Sequence, residues 1–277
     1  NGRFYRLLVK IYEALLKIAD NILLTTYNDS WIEITSSVTY SSVDDPTGVI
    51  TIKEDLTGVL SVGMRIRFVN GGNIIYGIIT KNPTYSSPNT TVTFLHEIDP
   101  TDSQALHLLA NSAITEVYYS HQKAPFGFPL EKTKWTVKVT DTTARGKASP
   151  SGETWYYTDF GSINIEVPIG SWAFGFELCM ACLGDLNDFI AAKIALSTSS
   201  SSSSDSELES YIYVYSEAAT ISDSQGNTDN IKREKDITIT SKTTYYLIAR
   251  RDAGIVDSLT FRNDKTTLVL KAVCAYL

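Results

Sequence analysis

The sequence predicts a mainly β protein: an N-terminal α-helix, a small β-barrel or sandwich domain, and a C-terminal jelly-roll-like β-sandwich. Three observations carry this. The chain is rich in residues that fit a pleated, half-buried surface, with 16 Tyr among many Thr, Ser, Val and Ile. Apolar residues recur at helical spacing in one long stretch, residues 4–24, and alternate in short runs beyond it. Gly, Pro, Asn and Asp punctuate those runs. At 277 residues, with 43% hydrophobic and 20% charged side chains, the chain can bury a sizeable core. That length suits about two domains at ~150 residues each.

In the helix, Phe4, Leu8, Ile11, Leu15, Ile18 and Ile22 are spaced 4-3-4-3-4, which keeps them on one seam of a helix wound at 3.5 residues per turn. Leu8, Leu15 and Ile22 then take the a positions, and Phe4, Ile11 and Ile18 take d. Leu at a with Ile at d favours three or four strands over two. Leu7, Val9, Leu16 and Leu23 widen the apolar face, so more than one neighbour should cover it. The same pattern also describes an amphipathic helix lying on its own domain, and both arrangements stay open. Lys10, Glu13, Lys17 and Asp20 interrupt the stretch and exclude a membrane span. No small-residue cleavage site follows, so a signal peptide is not expected.

Residues 29–120 read as the small β-domain. Strands are expected over 32–40, 49–52, 64–69, 74–81, 90–96 and 114–119, with Asn70-Gly71-Gly72-Asn73 supplying the positive-φ residues of a tight hairpin. Residues 102–110 read as a short helix capped by Thr101 or Asp102. Residues 121–134 read as a connector, because Pro125, Gly127 and Pro129 cannot continue a strand ladder. Residues 135–277 read as the sandwich, with nine strands at 135–139, 163–167, 172–180, 190–196, 211–215, 237–240, 245–249, 258–261 and 267–275. The nearly all-Ser tract from Ser197 to Ser206 reads as a mobile loop between two strands.

Several segments fall in a recognisable order. Leu60-Ser61-Val62-Gly63-Met64-Arg65-Ile66-Arg67-Phe68 is followed by Ile75-Tyr76-Gly77-Ile78-Ile79-Thr80. Ile114-Thr115-Glu116-Val117-Tyr118-Tyr119-Ser120 then leads to Pro125-Phe126-Gly127-Phe128-Pro129. Together they resemble the segments that close a small β-domain in virion structural proteins of tailed bacteriophages, a tail or fibre type of appendage. The resemblance covers roughly residues 4–130 and departs after Pro129. There Leu130-Glu131-Lys132 leads to Trp135, where the similar proteins often have a Trp-rich continuation. It implies a virion component and leaves its place in the virion open.

The chemistry of catalysis is sparse in this sequence. A formal net charge of −7 with no basic stripe argues against nucleic acid as a partner. Cys179-Met180-Ala181-Cys182 has the spacing of half a zinc site, but no second pair exists. A strand would also point the two cysteines to opposite faces, so they read as small core residues and not as metal ligands. His96 and His121 read as solvated, and Asp44-Asp45 as turn residues. Asp223, Asn227 and Asp229 lack EF-hand spacing and read as a solvated loop. Glu153, Asp159 and Glu166 are carboxylates of the kind a glycan-degrading enzyme pairs across a cleft, but nothing singles them out. The candidates for a recognition or interface surface are Trp155, Tyr156, Tyr157, Trp172 and Phe174, since consecutive aromatics in a strand face both ways.

The expectation is therefore a non-enzymatic virion protein without cofactor, catalytic residue or metal. It would be a homotrimer assembling through the seam, attached to other virion proteins and projecting a sandwich that contacts a host-surface glycan. It would touch neither nucleic acid nor membrane. The alternatives are a capsid decoration protein or head fibre, and a glycan-degrading appendage enzyme.

Overall fold

The computed structural model describes residues 2–27, 30–122, 128–129, 131–184, 189–215, 225–254 and 256–276. The chain is mainly β behind one N-terminal helix, as the sequence predicts. It divides into two compact units, one of residues 1–98, 105–134 and 276–277, the other of residues 99–104 and 135–275.

The first unit begins with helix α1 (Gly2–Tyr27). Its eight strands are β1 (Ile32–Glu33), β2 (Val38–Asp44), β3 (Thr47–Ile52), β4 (Arg65–Asn70), β5 (Asn73–Ile79), β6 (Thr84–Ser86), β7 (Asn89–His96) and β8 (Ile114–Ser120). They form one curled antiparallel sheet in the order β1-β8-β4-β5-β7-β3-β2, with β6 on β7. The Asn70–Asn73 hairpin closes through Gly71 (φ 57°) and Gly72 (φ 84°), the left-handed pair that a twist-matched two-residue loop requires. Phe94 and Phe68 meet edge to face at 5.5 Å in the core. A Cβ on Gly77 would fall 2.8 Å from the Phe94 ring, and one on Gly48 would overlap it, so both glycines make room for that ring. Between residues 33–38 and 114–117 the sheet leaves a groove of about 370 Å³.

Three expectations for residues 29–134 differ from the structure. The strand expected over 32–40 splits into β1 and β2. The helix expected over 102–110 is absent, and turns take its place. Asp99 accepts from the backbone N–H of Thr101 at 2.7 Å, and Asp102 from that of Gln104 at 2.9 Å. Ser103 has a left-handed φ of 62°, which helical backbone does not allow, and the Leu106 N–H donates to the Glu97 carbonyl at 2.8 Å where a helix would send it to residue 102. The connector of 121–134 is also no separate segment where it is described. Phe128 is buried against Trp31 (6.2 Å) and Tyr76 (5.9 Å), which makes it part of the first unit. Pro125 and Gly127 lie outside the described residues.

The second unit is a two-sheet sandwich. Its strands are β9 (Thr136–Asp141), β10 (Arg145–Ala148), β11 (Asn164–Val167), β12 (Gly170–Gly184), β13 (Phe189–Ser197), β14 (Glu209–Tyr215), β15 (Gln225–Ile239), β16 (Thr243–Ala253), β17 (Val256–Phe261) and β18 (Leu268–Cys274). One sheet has β12 at its centre, with β15 along one edge and β18 and β17 in succession along the other, extended by β9 and β10. The second sheet runs β11-β16-β13-β14. The chain passes between the sheets at most connections, as in a jelly-roll. The two layers lock where Phe174 of β12 meets Tyr245 of β16 at 4.5 Å.

The expected strand at 237–240 is the tail of the 15-residue β15, which pairs with β12 over its whole length. The loop expected over 223–229 is therefore strand from Gln225 onward. Asp223 lies outside the described residues, as do the side chains of Asn227 and Asp229. Gly175 permits the pairing, since a Cβ there would sit 2.8 Å from the Glu234 Cα and inside the Arg233 carbonyl. The Ser tract is the hairpin between β13 and β14, as expected, but it is wired and not loose. Ser197 Oγ donates to the Ser202 carbonyl at 2.6 Å, and Ser204 Oγ accepts from the Thr198 N–H at 3.1 Å.

Candidate assembly helix and recognition face

Among its described side chains, helix α1 presents exposed apolar residues. Ile11, Leu15 and Ile18 are 47%, 57% and 54% exposed, and Leu7, Val9, Tyr12 and Leu16 are exposed as well. Every described side chain of the helix lies open, which removes the alternative of a helix lying on its own domain over those residues. The side chains of Phe4, Leu8 and Ile22 lie outside the described ones. Continuing the heptad register places all six charged residues of α1 (Arg3, Arg6, Lys10, Glu13, Lys17 and Asp20) at c or f. Those positions adjoin each other opposite the seam, so the charges share a single stripe and, Asn21 at g apart, the other positions are mainly apolar or small. No described helix is long and apolar enough to cross a membrane.

In the sandwich, the aromatic candidates separate by face. Trp172 and Phe174 are fully buried, the Trp172 indole N–H donating to the Pro168 carbonyl at 2.9 Å. They are core residues, and their expected place in a recognition surface is withdrawn. Alternation on β12 sends both inward, into the core between the two sheets. Trp155, Tyr156 and Tyr157 are half-buried. Their segment folds back along β16, Tyr156 N–H to Ala249 carbonyl at 2.8 Å and the reverse bond at 3.1 Å. That pairing sets Trp155 beside Arg250 on the outer face of the four-stranded sheet, while Tyr156 turns the other way toward Lys147 (5.0 Å).

The outer face carries more than the sequence flagged. Arg250 pairs across to Lys193, and Lys193 to Tyr211, so one ladder runs Trp155–Arg250–Lys193–Tyr211 across four chain segments. Arg250 lies 5.1 Å from the Trp155 ring and Lys193 4.8 Å from that of Tyr211. Each cation has its own carboxylate: Arg250 donates to Asp252 at 2.7 Å, and Lys193 is ion-paired to Glu209. Burial lowers the Lys193 pKa, but the hydrogen bonds that its amine donates to Glu209 and Tyr211 outweigh this and raise it overall, so the amine stays charged. Tyr213 stacks parallel to Tyr211 at 5.7 Å and is 55% exposed. The signal for these two was available, since tyrosines recur at every second position from 211 to 215.

The segments of the phage resemblance also converge. Arg67 lies 4.6 Å from the Tyr118 ring and 5.3 Å from Trp31, and Arg65 lies 5.5 Å from Phe128. Arg65 is buried and donates to the carbonyls of Gly63 and Tyr276. These residues form one arginine–aromatic cluster in the first unit, which gives their conjunction a packing role.

The residues read as inert or solvated take varied places. His96 is a correction: it is 1% exposed, with Nε2 2.8 Å from Asp45 Oδ1. Burial pushes its pKa below the usual 6.5, against the pull of Asp45 and with a small push from His107. Neutral in the fold and titrating near 6.5 when unfolded, His96 costs no stability above pH 6.5. Below that the unfolded state binds the proton first, and stability falls by up to ~1.4 kcal/mol per pH unit. Glu97, raised by burial, acts in the opposite sense, its contribution present at low pH and lost as pH rises through its folded value. Urea unfolding of His96→Gln is expected to show a flatter pH profile just below 6.5 than the wild type. Cys179, Cys182 and Cys274 are buried, and burial pushes the Cys182 thiol up to about 12, which suppresses the thiolate that metals and electrophiles require. Asp159 is 3.1 Å from Lys147, and Glu166 3.6 Å from Lys242.

No family model matches the chain, and no curated protein matches it. Among solved structures, dimeric latent PorU from Porphyromonas gingivalis overlaps 88% of this chain and 24% of its own, at 9% identity and a TM-score of 0.31. The infectious bursal disease virus Gx strain overlaps 90% of this chain and 64% of its own, at 13% identity and a TM-score of 0.26. The VP2 subviral particle of the same virus gives 88% and 77%, at 10% identity and 0.27. The chain thus spans about a quarter of the first and just under two thirds of the second. Overlaps this loose carry no inference about function.

Proposed function

We propose that this chain is a non-enzymatic, homo-oligomeric structural protein of a tailed-phage virion, of tail or fibre type, assembled through α1 and presenting its sandwich to the host surface. The observation that carries it is the helix: the described seam residues Ile11, Leu15 and Ile18 are about half exposed in the single chain, and the heptad register puts the charged residues at c or f. Copies of the same helix cover such a seam at 3.5-residue spacing, with three or four strands favoured by Leu at a and Ile at d. The virion address rests on the phage-like segments quoted above. Gold-labelled antibody against the chain is expected to mark the tail or its fibres on intact particles, and particles that carry no label would contradict a virion role.

One observation favours a second placement. Leu7, Val9 and Leu16 stand exposed outside the narrow seam, and a shell-binding helix of a head decoration protein would use that width. Label on the capsid would select it.

A further inference from the structure

We propose that the outer face of the four-stranded sheet binds a neutral saccharide along the ladder Trp155–Arg250–Lys193–Tyr211. The inference rests on the sandwich being the host-contacting module, but not on the oligomer.

The side chains on this face are the wrong ones for an idle surface. Lys193 and Arg250 are direct cross-strand partners, and like charges in that position repel. The repulsion is offset by Glu209 and Asp252, one carboxylate for each cation. The result is a strip of fixed donors and acceptors with no net charge, flanked by Trp155 at one end and by Tyr211 and Tyr213 at the other. The backbone aiming Trp155 is itself unusual. Ser149, Glu153 and Ser162, around this segment, hold positive φ of 45°, 58° and 53° without being glycine. Strain of that kind collects at working sites.

The charge pattern decides among occupants. A protein interface has an apolar centre and a polar rim. Here the charged pairs are central and the rings are at the ends. An anionic ligand would meet Glu209 and Asp252 as closely as the cations. A pyranose fits both features: its C–H face packs on an aromatic ring, and its hydroxyls, each both donor and acceptor, satisfy paired charged side chains. Several copies on one assembly would raise a weak site to useful avidity.

The test is an array of neutral and anionic oligosaccharides probed with the full-length protein, followed by calorimetric titration of the best binder. Binding to neutral members is expected, weakened at least tenfold by Tyr213→Ala and by Lys193→Met. Tyr85→Ala, an exposed aromatic of the first unit (43% exposed), is expected to leave it unchanged. Tyr213 is exposed, so its loss should not unfold the sandwich, and a circular dichroism melt of each variant checks this. The proposal is overturned if no array member binds, if only anionic sugars bind, or if correctly folded variants bind as the wild type does. Sedimentation of the same samples separates the two ideas. An assembled protein that binds no sugar refutes the saccharide site alone, and a monomer that binds sugar refutes the assembly alone.

Discussion

Replacing Ile11, Leu15 and Ile18 together by Asn is expected to convert the assembled protein to a monomer while both β units stay folded. Each of these side chains is about half exposed in the single chain, so association has that half left to bury. Taking full burial of such a residue as ~2 kcal/mol, the remainder is roughly 1 kcal/mol each. A trimer holds nine copies, so the loss is on the order of 10 kcal/mol before the cost of burying Asn amides is added. That is comparable to the whole free energy of a micromolar association, about 8 kcal/mol. The sandwich should not respond, because its core lies in the other unit. Sedimentation velocity reads the change. A triple variant that sediments as the wild-type oligomer would remove α1 from assembly.

The second large effect lies in the sandwich. Trp172→Ala is expected to destabilise that unit by about 3–5 kcal/mol, the usual cost of emptying a buried indole site. Trp172 is fully buried, and truncation also strips the Pro168 carbonyl of its donor. Urea unfolding should show the shift in midpoint, with saccharide binding retained below the transition. Tyr213→Ala, on the exposed side of the same unit, should stay within about 0.5 kcal/mol of the wild type. Opposite results for the pair would mean that the buried and exposed faces have been exchanged.

Trp172 and Trp155 show what the sequence could and could not disclose. Both sit in aromatic-rich strand-like runs, and local pattern alone gives each an equal claim to the surface. Burial depends on which sheet lies opposite, and that is settled by pairings far along the chain, such as β12 with β15. The same long-range pairing drew the polar stretch from Gln225 onward into a strand that its composition disfavours. Where the determinant was local, the reading was sound. Gly71 and Gly72 announced their hairpin because only left-handed backbone makes that turn, and the 3.5-residue spacing announced the helix. The helix expected at 102–110 failed because the segment pairs back on residues 97 and 98, the Leu106 N–H going to the Glu97 carbonyl and Ala105 bridging Ile98. His96 was missed because its partner, Asp45, lies 51 positions away. Tyr211 and Tyr213 were the avoidable omission, for their alternation already placed them on one face.

The most direct test of the proposed function is the solution mass of this 277-residue chain, by sedimentation equilibrium at micromolar concentration and neutral pH. The account predicts a species of three or four chains of 30.6 kDa each. A single species at the mass of one chain would contradict it.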